Sequence, residues 1–112
     1  MPSLKLVLLP GDGIGPEVVA EGIRVLETFR DAGLLDYESV SADFGGASID
    51  AHGVPLTADV TDLVKGADAV LLGAVGGPKW DDVEGALRPE RGLLSLRGEL
   101  GVYANLRPAR FF

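Results

Sequence analysis

The chain has 112 residues, a length that suits one modest domain. Its formal net charge is −7, from 10 basic and 17 acidic residues, and this argues against general nucleic-acid binding, which needs a basic face. With no cysteine and one histidine, His52, the sequence excludes disulfides, thiol catalysis and a metal site built from cysteines or several histidines.

The first predicted element is a strand, the almost continuously apolar run LKLVLL at residues 4–9. This run is far shorter than the roughly 20 residues of a membrane helix. It leads into a glycine-rich turn rather than a signal-peptide cleavage site, so we expect a cytoplasmic protein with no membrane partner. Pro16 suits the first position of a helix, which apolar residues at helical spacing continue until Gly33 stops it.

Alternating side chains predict a second strand over residues 37–44, followed by a loop with about one helical turn. Thr57 is predicted to cap a short helix that ends at Gly66. Residues 68–75 predict another buried strand, residues 89–97 a helix and residues 102–108 a fourth strand. This order predicts an α/β fold with a mostly parallel sheet and flanking helices.

The chain ends on Phe111 and Phe112, directly after the last predicted strand. A pair of large apolar residues there suggests that the polypeptide continues. We therefore expect residues 1–112 to be the N-terminal piece of a longer protein.

The motif GDGIGPE at residues 11–17 lies between a strand and a helix, where dinucleotide-binding folds place phosphate-binding glycines. The spacing is G-x-G-x-G rather than G-x-G-x-x-G, so the Rossmann fingerprint fails. Asp12 also adds a negative charge where a pyrophosphate would lie. Two interpretations stay open: a structural turn, or a backbone that approaches a ligand closely.

A second glycine-rich loop, GAVGGPKWD, covers residues 73–81. Gly76 and Gly77 free the backbone, and Pro78 stiffens the exit. Trp80 either closes the core or offers a flat face in a cleft. A cleft is favoured because both glycine-rich loops follow predicted parallel strands at their carboxyl ends.

Four arginines stand in the stretch RPERGLLSLRGELGVYANLRP, residues 88–108. Arg97 is predicted to end a helix and Arg107 to end the next strand. Each guanidinium group can donate two parallel hydrogen bonds to a carboxylate, so the two arginines together would suit a dicarboxylate. Leu93 and Leu94 precede Arg97 by one turn and could line an apolar pocket. In the alternative interpretation the leucines belong to the core and the arginines pair with surface acids, such as Glu84, Glu90 and Glu99.

In this order, the motifs LLPGDGIGPEV, ADFGGASIDAHGVPL, AVLLGAVGGPKWD, RPERGLLSLR and YANLRPA closely resemble the 3-isopropylmalate dehydrogenases, within the isocitrate/isopropylmalate dehydrogenase family. The resemblance covers essentially the whole chain and about the first third of such an enzyme. It implies a homodimeric, non-Rossmann α/β enzyme, with residues 1–112 forming the N-terminal part of its first domain. It also implies NAD-dependent oxidation and decarboxylation of 3-isopropylmalate in leucine biosynthesis, with Mg²⁺ or Mn²⁺.

The resemblance also assigns residues to the substrate. Arg97 and Arg107 match the arginines that hold the substrate carboxylates, and Leu93 and Leu94 match the pocket for the isopropyl group. Glu90 matches a residue between that pocket and the nicotinamide. The leucine pair disfavours an isocitrate-using relative, which would need polar or cationic groups for a third carboxylate.

For the cofactor, the resemblance assigns a contacting segment that runs from Gly77, Pro78, Lys79 and Trp80 to Glu90, with Ile14 near the nicotinamide end. The catalytic tyrosine and lysine and the metal-binding aspartates of the family lie further along such enzymes. We therefore expect no catalytic residue and no metal ligand in this chain, and no activity from it alone. The alternatives are another β-decarboxylating dehydrogenase, using isocitrate, tartrate or malate, and a self-standing small α/β ligand-binding module.

Overall fold

The computed structural model describes residues 2–112, and its core is a parallel sheet of three strands in the order β2-β1-β3. The strands are β1 (Leu4–Gly11), β2 (Tyr37–Ser41) and β3 (Ala69–Ala74). The helices are α1 (Gly15–Asp31), α2 (Gly46–His52), α3 (Ala58–Lys65) and α4 (Pro89–Leu100), with short 3₁₀ turns at Pro78–Trp80 and Gly85–Leu87. The predicted α/β fold with a parallel sheet is confirmed.

The central strand β1 carries apolar side chains on both faces, and helices bury both of these faces. Val7 in β1 pairs with Val40 in β2 and with Val70 in β3. Since side chains alternate along a strand, Val7 and Leu9 point to one face and Leu8 to the other. Helix α1 packs on β1 and β3, and its Gly22 lies against Leu71, the partner of Leu8.

The main core lies on the opposite face, between the sheet and the pair α3 and α4. It joins Val7 and Leu9 of β1 to buried side chains of the helices and of the segment after β2, namely Phe44, Val60, Val64 and Leu96. Phe44 and Leu9 are both fully buried. Strand β2 therefore ends earlier than predicted, at Ser41, because the chain turns to carry Phe44 into this core.

Local signals account for most helix ends. The Thr57 side chain accepts the Val60 N–H at 3.3 Å at the start of α3, as predicted. Helix α4 was predicted to end at Arg97, and this boundary is wrong by one turn: α4 continues to Leu100. Gly101 ends it, in the left-handed conformation at φ 65°. Arg97 consequently lies in the last turn of the helix rather than at its end.

The predicted fourth strand over residues 102–108 is wrong for this structure. The segment after Gly101 has no strand or helix assignment and is exposed throughout, with Tyr103 100% and Leu106 87% accessible. A strand needs a neighbouring strand to pair with and a layer to cover its apolar side chains. Within residues 2–112 this segment has neither, so Arg107 does not end a strand.

None of the helices in residues 2–112 combines the length and the apolar character needed to cross a membrane.

Candidate functional site at the carboxyl edge of the sheet

Three loops meet at the carboxyl edge of the sheet because all three strands run in the same direction. The first follows β1 and comprises Asp12 to Ile14. The second connects β2 to α2, and the third, which we call the β3 loop, comprises residues 76–80. The Asp12 N–H donates to the Ala74 carbonyl at 2.8 Å, which places the first loop directly beside the start of the third.

Asp12 is the buried polar centre of this edge, with 3% of its surface exposed. Its Oδ2 accepts the N–H groups of Gly46 at 2.7 Å and Gly76 at 2.8 Å, and its Oδ1 accepts the N–H of Ala47 at 2.7 Å. One carboxylate therefore links the β1 loop to the start of α2 and to the β3 loop. From the sequence Asp12 was interpreted only as a charge unfavourable to pyrophosphate, and this role was missed.

The three glycines of the motif at residues 11–15 differ in their surroundings: Gly11 and Gly15 are closely packed, whereas Gly13 is exposed. A Cβ on Gly11 would overlap the carbonyl oxygen of Ala74, and one on Gly15 would overlap that of Pro10. These two glycines permit close packing within the chain, which favours the structural-turn interpretation for them. Gly13 differs, because it adopts φ +56° in open space beside Ile14, whose surface is 63% exposed. At the tip of this loop the backbone is therefore open to solvent.

Trp80 is half-buried and packs against the α2 start rather than inside the main core. Its ring lies over Gly46, where a Cβ would overlap the indole. Its Nε1 donates to Asp50 Oδ1 at 3.2 Å, and Lys79 Nζ donates to Asp50 Oδ2 at 2.6 Å. The Lys79 ammonium is also 5.5 Å from the centre of the Trp80 ring. Helix α2 thus holds two of the predicted cofactor residues through one aspartate.

The pKa of the Asp50 carboxyl is lowered by its two hydrogen-bond donors. The hydrogen bond from Lys79, and to a smaller extent that from Trp80, holds the pKa of Asp50 below its ordinary value of 3.8. A lowered folded-state pKa means that the contact contributes fully above pH 3.8 and is lost as pH falls through the folded pKa. We expect an NMR titration of the Asp50 carboxyl carbon to give a pKa below 3.8, and Lys79→Ala to move it back towards that value. An Asp50 pKa unchanged by Lys79→Ala would contradict the ion pair.

Two of the predicted substrate residues, Glu90 and Leu94, line an open depression of about 450 Å³ at the start of α4. It is lined by Gly85, Ala86, Arg88, Glu90, Arg91 and Leu94. Glu90 also contacts the β3 loop, since a Cβ on Gly76 would overlap its carboxylate. Glu90 therefore lies between the depression and the loop, and its place between the isopropyl pocket and the nicotinamide remains a prediction.

The leucine pair separates in the structure. Leu94 is 54% exposed and lines the depression, whereas Leu93 is partly buried against the main core. Adjacent positions on a helix point about 100° apart, so one faces inwards and the other outwards. The pocket assignment of both leucines remains a prediction, and Leu94 is the one in contact with open space.

The two arginines assigned to the substrate carboxylates, Arg97 and Arg107, are exposed to solvent. Within residues 2–112, neither Arg97 nor Arg107 forms an ion pair, and Glu99 pairs instead with Lys65 at 2.8 Å. This does not support the alternative in which these two arginines are held by surface acids. Arg97 lies on α4 and Arg107 in the extended segment after it. Their convergence on one substrate remains a prediction.

The described chain, residues 2–112, contains no group of three or more histidine, cysteine or acidic side chains arranged to hold a metal ion. The described acids therefore do not fit a complete Mg²⁺ or Mn²⁺ site.

A parallel sheet with flanking helices and glycine-rich loops at its carboxyl edge defines an α/β protein, and proteins of this class bind ligands at that edge. The model of the isocitrate/isopropylmalate dehydrogenase family matches residues 5–112. The chain belongs to this family, and the predicted resemblance is confirmed.

Relatives and a solved structure agree with this assignment. The chain is 56% identical over 107 residues to a 3-isopropylmalate dehydrogenase of Pseudomonas fluorescens, covering 96% of this chain and 30% of the relative. It is 59% identical over 108 residues to that of Anaeromyxobacter dehalogenans, covering 96% and 31%. The apo β-decarboxylating dehydrogenase of Thermococcus kodakarensis aligns with TM-score 0.67 and 31% identity, over 88% of this chain and 27% of that one. The chain thus spans about 30% of its relatives' length.

Proposed function

We propose that this chain is the N-terminal part of the first domain of an NAD-dependent 3-isopropylmalate dehydrogenase. In the proposed reaction the C2 hydroxyl of 3-isopropylmalate is oxidised and the resulting β-keto acid loses CO₂, a step of leucine biosynthesis. The observation that carries the proposal is the depression at the start of α4. There an exposed leucine, Leu94, lies beside Glu90, whose carboxylate touches the β3 loop.

The chain's own residues would bind and orient the malate core. Arg97 and Arg107 would each offer a planar fork to a carboxylate, which fixes its direction as well as neutralising its charge. Holding the substrate in this way brings its C2 carbon to the hydride acceptor in a reactive geometry. Leu94, with Leu93 behind it, would contact the isopropyl group, and each methylene is worth about 1–3 kcal/mol in such discrimination.

The described residues fit the nicotinamide end of NAD. The exposed apolar side chain of Ile14 and the open backbone at Gly13 offer a surface for a flat ring, and the Glu90 carboxylate offers an acceptor. A pyrophosphate does not fit between the first loop and α2, because Asp12 already accepts the Gly46 and Ala47 N–H groups there. We assign Gly77, Pro78, Lys79 and Trp80 to cofactor contact. NAD⁺, when bound, supplies the hydride acceptor.

The remaining parts of the proposal concern the complete enzyme. It would be a cytoplasmic homodimer that acts on a small dicarboxylate, with no nucleic-acid or membrane partner. The Mg²⁺ or Mn²⁺ ligands and the catalytic tyrosine and lysine would come from other parts of that enzyme. We assign no step of the reaction through the metal to residues 2–112, because they do not form its site.

The alternative of a self-standing binding module is less well supported. Several large apolar side chains on the outer side of α1 and at its ends are exposed: Ile14, Val18, Val25, Phe29 and Leu34. Val18, Val25 and Phe29 recur at helical spacing along one side of α1, and monomeric globular proteins rarely expose large apolar patches.

The test is an assay of the complete enzyme for NAD⁺ reduction, followed through NADH absorbance. We expect a higher kcat/KM with 3-isopropylmalate than with isocitrate, tartrate or malate. Faster turnover of isocitrate or tartrate would overturn the substrate assignment, and failure to reduce NAD⁺ with all four would overturn the proposed reaction.

A further inference from the structure

The β3 loop is attached to the rest of the chain by two aspartates that the resemblance does not assign to any role. Asp12 accepts the Gly76 N–H at 2.8 Å at the start of the loop. At the end of the loop, Asp50 accepts hydrogen bonds from Lys79 Nζ at 2.6 Å and from Trp80 Nε1 at 3.2 Å. The loop is therefore held at both ends by carboxylates.

Helix α2 connects these two attachments. Asp12 accepts the N–H groups of Gly46 and Ala47, at the first turn of α2, and Asp50 lies in the same helix. The Trp80 ring in turn rests on Gly46. The contacts thus close a ring that runs from Asp12 through α2 to Asp50, on to Trp80 and Lys79, and back along the β3 loop to Asp12. We call this the aspartate ring.

We propose that Asp12 and Asp50 are positioning residues for the nicotinamide cofactor, which they serve by holding the β3 loop through the aspartate ring. This inference rests on the proposed use of NAD. Neither aspartate needs to touch the cofactor. The ring sets the backbone at Gly76, and the Glu90 carboxylate packs directly on that glycine, so the position of the loop also sets the position of Glu90.

The geometry at Asp12 requires a carboxylate rather than an amide. Both oxygens accept backbone N–H groups, one from Ala47 and two, through Oδ2, from Gly46 and Gly76. An asparagine has one acceptor oxygen and one NH₂ group. In either orientation its NH₂ would face at least one of these donors, leaving a buried N–H without a partner.

The test measures NAD⁺ binding by calorimetry in the complete enzyme. Asp12→Asn should raise the Kd for NAD⁺ about 10- to 100-fold, the factor that follows from losing a hydrogen bond to a charged group. Asp50→Asn, at an exposed site, should raise the Kd by a smaller factor, about two- to fivefold. In steady-state assays the KM for NAD⁺ should rise in both variants. The KM for 3-isopropylmalate should rise by a smaller factor, because the loop also positions Glu90, which lines the substrate depression.

Val64→Ala is the matched control for a purely structural effect. Val64, on the buried side of α3, lies in the main core and takes part in none of the hydrogen bonds of the aspartate ring, so this variant should lose stability without changing the Kd for NAD⁺. Hydrogen exchange adds a readout independent of activity: the Gly76 and Ala47 amides should exchange faster in Asp12→Asn than in Val64→Ala.

The outcomes separate the two proposals. A folded Asp12→Asn enzyme that binds NAD⁺ as wild type does would overturn the positioning role, and so would an equal loss of NAD⁺ affinity in Val64→Ala. If Asp12→Asn does not fold, Asp50→Asn decides, and an unchanged Kd in that variant overturns the inference. A wild-type enzyme that binds NAD⁺ but does not turn over 3-isopropylmalate would overturn the proposed substrate alone. Absence of NAD⁺ binding in wild type would overturn both.

Discussion

Arg97→Ala in the complete enzyme should lower kcat/KM for 3-isopropylmalate by about 10²- to 10⁴-fold, because a fork to a carboxylate makes two charge-assisted hydrogen bonds of about 1.5–3 kcal/mol each. Arg97 is exposed in the last turn of α4 and makes no ion pair within residues 2–112. Within residues 2–112 its removal therefore breaks no ion pair and no side-chain hydrogen bond, and the loss of activity would report on the substrate. The measurement is steady-state kinetics with 3-isopropylmalate varied at saturating NAD⁺.

Two further variants make this result specific to the guanidinium fork. Arg97→Lys keeps the positive charge but not the paired donors, and we expect it to recover only part of the lost kcat/KM. Arg24→Ala removes another exposed guanidinium, on α1, whose partner is Glu21 at 3.0 Å, and kcat/KM should stay within about twofold of wild type. A kcat/KM for Arg97→Ala within about threefold of wild type would show that Arg97 does not hold the substrate.

Gly73→Ala should destabilise the complete protein by about 3 kcal/mol, the upper range for forcing extra volume into a packed interior. Gly73 lies in β3 where the chain crosses the first loop. A Cβ there would overlap the Pro10 carbonyl oxygen and would stand 2.8 Å from the Gly15 carbonyl oxygen and 2.9 Å from the Gly15 Cα. All three are backbone atoms, which cannot move aside as a flexible side chain can. Relief therefore requires a shift of β1 or α1.

Gly98→Ala is the paired control, because the same added methyl group meets no atom within 4 Å there. Gly98 lies inside α4, where alanine is favoured over glycine, so this variant should gain about 0.5–1 kcal/mol. Denaturant unfolding of both variants measures the difference through the transition midpoint. Equal midpoints for Gly73→Ala and wild type would contradict the close packing of β3 on the first loop.

Local patterns predicted much of the fold. The apolar runs of β1 and β3 need burial on both faces, and the parallel sheet supplies it. Thr57 and Gly66 bound α3 as expected, because capping and helix termination depend on neighbouring backbone. The family was also recognisable from motif order, which the match over residues 5–112 confirms.

The candidate site was predicted less completely, for a reason visible at Asp12. Its partners lie 34, 35 and 64 residues along the chain, so no local pattern marks it as an acceptor. The only signal in the sequence was a carboxylate within a glycine-rich loop after a buried strand. The contact of Asp50 with Trp80 spans 30 residues and was missed for the same reason.

By itself, the sequence determined the family and the order of the three strands and of helices α1, α3 and α4, because these depend on periodicity and motif order. Tertiary structure alone decided that Asp12 joins three loops and that Leu93 and Leu94 separate between core and surface. It also decided that residues 102–108 form no strand. Each of these outcomes depends on a partner that is distant in the sequence: a backbone N–H donor for Asp12, an apolar core for Leu93 and a neighbouring strand for residues 102–108. Only folding of the chain brings such a partner close or leaves it absent.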